Sequence, residues 1–168
     1  MILQKVISSG QAGADEYALR AAKDAGLQTG GVCAACHEIH SDLGVTYVIF
    51  ASGLLDAYMN QSRANIDAAD GTLALWLDNT PGVRKAIAYA STHQWPMPIA
   101  IPPVSRKNGE RTSLYKPLFV ICTVDDCELP AVRAFLKNHA IHTLNVIGTH
   151  NARENTFLFL KKLFQDKQ

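Results

Sequence analysis

The sequence predicts an α/β fold, a Rossmann-like three-layer sandwich with a mostly parallel sheet, and three observations carry that prediction. Short apolar runs alternate with segments of helical periodicity as far as the last residues. The first apolar run stops at a Gly-containing polar loop that leads straight into a helix. No linker, low-complexity run or internal repeat divides the 168 residues. Residues 1–168 are therefore read as a single Rossmann-like domain, of a size that buries roughly 70% of the surface its unfolded chain exposes.

Each element has its own signal. Ile2, Val6 and Ile7 form the first strand, which ends at Ser8-Ser9-Gly10-Gln11-Ala12-Gly13-Ala14-Asp15. Tyr17, Ala18, Ala21, Ala22 and Ala25 then recur at helical spacing, with Gly26 placed to end the helix. The stretch from Gly30 to Gly44 is mixed and turn-rich and reads as a surface excursion, ahead of a strand from Val45 to Phe50. Leu54 to Ala69 has helical character. Leu73 to Leu77 is an apolar run suited to a buried parallel strand, and the tripeptide Asp70-Gly71-Thr72 gives a second strand edge polar character.

Pro81 opens a helix that runs to about His93, because the amide hydrogen it lacks has no partner in a first turn. Met97 to Ile101 reads as a strand. Pro102-Pro103 and the Lys107-Asn108-Gly109 turn come before Leu118 to Cys122 and suggest an extended, hairpin-like insertion. Glu128 to His139 is a helix by the spacing of Val132, Phe135 and Leu136, and His142 to Ile147 is a strand. Glu154 to Phe164 is a closing helix with Phe157, Leu160, Leu163 and Phe164 facing inward.

Composition narrows the partners. With 16 Lys and Arg against 15 Asp and Glu, the net charge of +1 argues against a phosphate-backbone binder, so no nucleic acid is expected. No apolar run approaches the roughly 20 residues of a membrane helix, so no membrane is expected either. Met1 to Ile7 reads as a strand rather than a signal peptide, which points to a cytoplasmic protein with reduced thiols.

In open parallel sheets ligands sit beyond the carboxyl ends of the strands, where the Ser8 to Gly13 loop lies. Gly10 and Gly13 allow close backbone approach, Ser8, Ser9 and Gln11 add hydrogen-bonding side chains, and the free amides of the following helix favour an anion such as phosphate. The same two glycines also suit a tight strand-to-helix connection, with Asp15 serving the helix dipole. The loop is neither the G-x-G-x-x-G fingerprint nor a Walker A loop, whose Lys it lacks.

Four motifs occur in one order: Ser8-Ser9-Gly10-Gln11-Ala12-Gly13-Ala14-Asp15, Gly30-Gly31-Val32-Cys33, Asn65 followed by Asp70-Gly71-Thr72, and Leu144-Asn145-Val146-Ile147-Gly148. Together they resemble the putative molybdenum carrier family, a branch of the Rossmann-like nucleotide-derivative binders that includes the lysine decarboxylase-like phosphoribohydrolases. The likeness spans nearly the whole chain apart from Arg106 to Lys116. It implies a pocket built at strand C-terminal ends from the first loop, Asp70 to Thr72, Asn79 and Thr80, and Asn145 and Gly148. The implied ligand is a small phosphorylated heterocycle, molybdenum cofactor or a nucleotide derivative, with no metal bound directly by the protein. The family also implies a homo-oligomer.

The chain departs from the family where charge matters. Ser9 and Ala12 stand where a Gly and a Thr are usual, and Asp78-Asn79-Thr80-Pro81-Gly82 replaces a Gly-Gly-Thr phosphate loop. Gln61 replaces an Arg, and Gly148-Thr149-His150 replaces Gly-Pro-Arg, so two charge-assisted contacts are missing. Arg63, Arg84 and Arg153 are the cations left to compensate. Val83-Arg84-Lys85 occupies the place of the glutamate on which the phosphoribohydrolases depend, which argues against their chemistry.

Cys33-Ala-Ala-Cys36-His37 has the spacing of covalent haem attachment and, with His40, of a zinc cluster. Packing of Cys33 and Cys122 as small apolar side chains, with Cys36 and His37 in a loop, is the preferred reading. Trp76 and Trp95 are read as core or rim. No catalytic constellation is recognisable from spacing among His93, His139, His142 and His150 and the acids. The leading expectation is a carrier or binding protein. The rivals are a nucleotide phosphoribohydrolase-like enzyme using Asp15 or Asp70 as acid or base, and a scaffold with a decayed pocket.

Overall fold

The structure is a computed structural model that describes residues 3–34, 41–48, 54–92 and 116–165. Among these residues six strands form one parallel sheet: β1 (Lys5–Ile7), β2 (Gln28–Ala34), β3 (Val45–Val48), β4 (Gly71–Leu75), β5 (Leu118–Ile121) and β6 (Thr143–Gly148), in the order β3-β2-β1-β6-β4-β5. The helices are α1 (Ala14–Asp24), α2 (Leu54–Ala68), α3 (Pro81–Thr92), α4 (Leu129–Asn138) and α5 (Glu154–Gln165). The sheet is the middle layer of the Rossmann-like sandwich.

A parallel sheet must be covered on both faces, and the strand side chains divide accordingly. Val6, Leu73, Leu75, Leu144 and Val146 point to one face, where they meet the apolar stripes of α1, α4 and α5. Ala74 and Ile147 point to the other, against Ile66 of α2 and Ala86 and Ala90 of α3. β4 is buried along its whole length. The small residues Ala14, Ala18, Ala21 and Ala22 of α1 let it lie close to α5, where the Tyr17 and Phe157 rings meet with centroids 6.0 Å apart. Phe159, with Leu160, Leu163 and Phe164, is in the core of α5, whereas Phe157 is half-buried.

One reading of the chain needs correction. The first part of the stretch read as a surface excursion, Gly30 to Ala34, belongs to β2, which pairs with β1 in the register Lys5 to Gln28, Val6 to Thr29 and Ile7 to Gly30. Gly31, which looks like a breaker, lies against the Ser8 carbonyl so closely that a Cβ would overlap it, and its φ of +128° is one that side chains avoid. Leu118 to Ile121 form β5, parallel to β4 with Thr72 facing Leu118 and at the edge of the sheet among the described residues, whereas the insertion expected ahead of it lies outside them. Parallel strands need a long crossover, and α3 lies in the chain between these two. The proposed strand at Met97 to Ile101, Trp95, His93 and the turn at Lys107 to Gly109 lie outside the described residues.

β2 is also held by side chains of α2. The Asn65 amide spans one residue of the strand, accepting from Val32 N at 2.8 Å and donating to Val32 O at 2.9 Å. The Gln61 Oε1 accepts from Ala34 N at 2.7 Å. No helix among the described residues is long and apolar enough to cross a membrane. Replacing Asn65 with Leu strands both backbone groups of Val32, so urea unfolding is expected to show a loss of about 1 to 2 kcal/mol with an unchanged slope. An unchanged midpoint would show that this pair contributes nothing.

Candidate functional site

The chain after β1 turns to one face of the sheet through α1, and the chain after β4 turns to the other through α3. β6 lies between them. The two helices therefore diverge above the C-terminal ends of the strands and leave a crevice, the usual place for a ligand in open α/β sheets. A cavity of about 310 Å³ occupies it. Gln11 and Asp15 line it from the first loop and α1, Gln61 and Ser62 from α2, Thr80 to Val83 from the start of α3, and Gly148 and His150 from the end of β6.

The first loop is tied down mainly by its own side chains. Ser8 Oγ donates to Val146 O at 2.7 Å, across the seam between β1 and β6. Ser9 Oγ donates to Asp15 Oδ2 at 2.5 Å, and Gln11 N donates to Ser9 Oγ at 3.4 Å. Asp15 Oδ1 accepts from Gly148 N at 3.0 Å, so this carboxyl group joins the loop, α1 and β6. Burial pushes the Asp15 carboxyl above its ordinary value of 3.8, against the hydrogen bonds from Ser9, Ser8 and Gly148 and the charge of His150, which pull it down. Gly10 turns toward Val45 Cγ2, away from the crevice.

The start of α1 is less open than the sequence suggests. Ala14 N already donates to Thr149 O at 3.0 Å. Gly13, with a φ of +98°, packs so tightly under the next loop that a Cβ would come within 2.5 Å of the carbonyl oxygens of Thr149 and His150. Ala12 is exposed and its carbonyl faces His150 Nδ1 at 3.2 Å. Carbonyl oxygens and a carboxylate thus surround the helix end that was expected to receive an anion.

The start of α3 is arranged differently. Asp78 Oδ1 accepts from Thr80 N at 3.2 Å and sets the entry angle, Pro81 takes the first helical position, and Arg84 N donates to Thr80 O. The first turn holds no acidic residue, and its positive dipole end meets the cavity at Gly82 and Val83. Two buried polar atoms among the lining residues have no partner: Gln11 Nε2 and Thr80 Oγ1. Gln11 itself is only 9% exposed. Such orphan groups are rare in native proteins, because each forfeits its solvation without return.

Of the residues singled out from sequence, Gln11, Asp15, Thr80 and Gly148 meet at the cavity, with Ser8 and Ser9 buried behind them. Asp70, Gly71 and Thr72 do not lie at a C-terminal end. They enter β4 rather than leave it, and Asp70 Oδ2 accepts from His142 N at 3.0 Å and Thr143 N at 2.7 Å, tying β4 to β6 at the opposite, N-terminal ends of the strands. Asn145 is fully buried in mid-strand, where its Nδ2 reaches Thr72 Oγ1 at 3.4 Å. Asn79 is exposed and outside the cavity lining.

No Lys or Arg is among the described lining residues, so the missing cations are not replaced there. Arg63 lies 5.1 Å from the centroid of the Tyr89 ring, and Arg84 and Arg153 are exposed. Tyr58, Met59 and Ser62 of α2 line the cavity without any motif to mark them. Their helical spacing was visible, but not the surface it faced. Cys33 is buried in β2 as expected, whereas Cys122 is exposed rather than packed, just beyond the edge strand β5. Cys36, His37 and His40 lie outside the described residues, and among the described ones no cluster of three His, Cys, Asp or Glu suits a metal. Trp76 is 36% exposed, so it is not core, and it is not among the cavity lining.

The circularly permutated YpsA SLOG family matches residues 6–162. This chain belongs to that family. Among solved structures it is similar to the crystal structure of a putative molybdenum carrier protein from Syntrophus aciditrophicus SB. The two share 18% identity at a TM-score of 0.68, over 97% of this chain and 95% of the other, a likeness of fold. The search of curated proteins found no match.

Two outcomes follow from the polar contacts. Asp15 is protonated in both states below pH 3.8, and above it the unfolded chain ionises first, so stability should fall as pH rises until the folded carboxyl ionises too. The stability of wild type minus that of Asp15→Asn, followed by thermal unfolding, should therefore decline across the window that opens at 3.8. A flat difference would contradict the burial argument. Asp70→Ala should cost about 1 kcal/mol through the two amides it releases and leave any ligand-induced stabilisation intact; loss of that stabilisation would return Asp70 to the site.

Proposed function

We propose that this protein is a small-molecule carrier that holds a phosphorylated heterocycle, a molybdenum cofactor or a nucleotide derivative, in the crevice between α1 and α3. The carrying observation is the pair of orphan polar atoms, Gln11 Nε2 and Thr80 Oγ1, among the residues that line one cavity. A ligand that accepts from both would offset the desolvation cost of these two groups. The volume, about 310 Å³, is at the small end of ligand pockets.

The donor set suits the phosphate end of such a ligand at α3 rather than at the first loop. Thr80 Oγ1 and the opening turn of α3 at Gly82 and Val83 offer hydroxyl and dipole, whereas Gly13 lies beneath two carbonyl oxygens. The carrier reading draws support from the structural relative, which is named as a molybdenum carrier. With no cation in the described lining, the grip on the phosphate is made of neutral hydrogen bonds and a helix end, and is weaker than a charge-assisted one.

Thermal unfolding of the full chain in the presence of nucleoside monophosphates, a pterin phosphate and molybdate tests this reading. A ligand at a hundredfold excess over Kd adds about 2.7 kcal/mol and raises the midpoint visibly. Gln11→Met is expected to abolish that rise while stabilising the unliganded protein by about 1 kcal/mol, since it removes a buried unpaired donor. No rise with any of these compounds, or a full rise in the variant, would overturn the proposal. Release of free base during the incubation would instead favour hydrolysis by Asp15.

A further inference from the structure

Asp15 and Gln11 form the end of the cavity away from α3, and their hydrogen-bonding capacity is unevenly used. Each Asp15 oxygen accepts one bond, from Ser9 Oγ and from Gly148 N, while the nearby Ser8 hydroxyl spends its proton on Val146 O, so a second lone pair remains on each oxygen. No Lys or Arg among the described lining residues pairs with this carboxyl group. Beside it, Gln11 is nine-tenths buried, and its Nε2 is a donor with no acceptor. Two of the residues that line the cavity thus hold spare acceptor capacity and one unpaired donor.

We infer that this end of the cavity reads the amino-oxo-pyrimidine edge shared by guanine and pterin. Asp15 accepts from the ring N–H and the amino group, and Gln11 Nε2 donates to the carbonyl oxygen. The inference rests on the proposed function, because it assumes that the heterocycle of the bound ligand lies at this end while its phosphate lies at α3. It adds the identity of the edge that is recognised. An adenine edge offers an amino donor and an unprotonated ring nitrogen, and that nitrogen's lone pair would face the Asp15 carboxylate while Gln11 Nε2 stayed unpaired. A site that leaves its own polar groups unpaired with the wrong ligand discriminates strongly against it.

Titration calorimetry on the full chain with guanosine, inosine and adenosine monophosphates and with a hydroxymethylpterin phosphate tests this. The guanosine compound is expected to bind about tenfold or more tightly than the adenosine one, with inosine, which lacks the amino group, between them. Guanosine against pterin phosphate then shows which source of the shared edge fits the cavity. Asp15→Asn keeps an oxygen for Gly148 N but turns one acceptor into a donor, and should bring guanosine and adenosine to within about twofold of each other. Equal binding of the two by the wild-type protein would overturn the inference while leaving the carrier reading in place. So would an unchanged ratio in a folded variant, and should the variant not fold, the wild-type ratio decides. Binding of none of the four compounds would overturn the proposed function, and the inference with it.

Discussion

One carboxyl group organises the upper end of this sheet. Asp15 lies in the first turn of α1 and receives Ser9 from the loop behind it and Gly148 from the end of the neighbouring strand, so a single side chain fixes where β1 stops, where α1 starts and how β6 leaves. A surface ion pair in that position would hold little. Three elements converge on a half-buried group, and its partial loss of hydration biases the carboxyl toward its neutral form.

The same arrangement decides how the two helix ends at the crevice differ. Both α1 and α3 begin beside the cavity, and from topology alone they are equivalent places for an anion. At α1 the approach of Thr149 and His150 fills the space with carbonyl oxygens, and Ala14 N is already used. At α3 the Asp78 turn and Pro81 present the helix without acidic side chains, and Thr80 is left with an unused hydroxyl. Helix polarity is general, but its availability depends on what the neighbouring loop does.

Much of the architecture was legible because local period and turn chemistry agree with it. The alanine spacing of α1, the proline at the head of α3 and the solid apolar run of β4 are each set by residues near in sequence. β2 was hidden because its Gly30-Gly31 has the composition of a turn, while the reason for Gly31 is the Ser8 carbonyl of another strand. The pairing of β5 with β4 is a long-range fact that local signals do not carry. In the candidate site, Gln11, Asp15, Thr80 and Gly148 were found from loop positions, whereas Tyr58 and Ser62 sit on a helix face that no motif distinguishes. Asp70 misled because a polar tripeptide beside a strand does not announce which end it caps.

The middle of the sheet is a seam between the first strand and the last, and its bonds cross great lengths of chain: Ser8 is joined to Val146, 138 residues away. α1 and α5 repeat that pairing one layer above. During synthesis β1 pairs early with β2, but its other flank stays bare until β6 emerges, and α1 likewise waits for α5. Assembly of this molecule is thus governed by closure of a very long loop, and the crevice above the seam is among the last parts to acquire its shape.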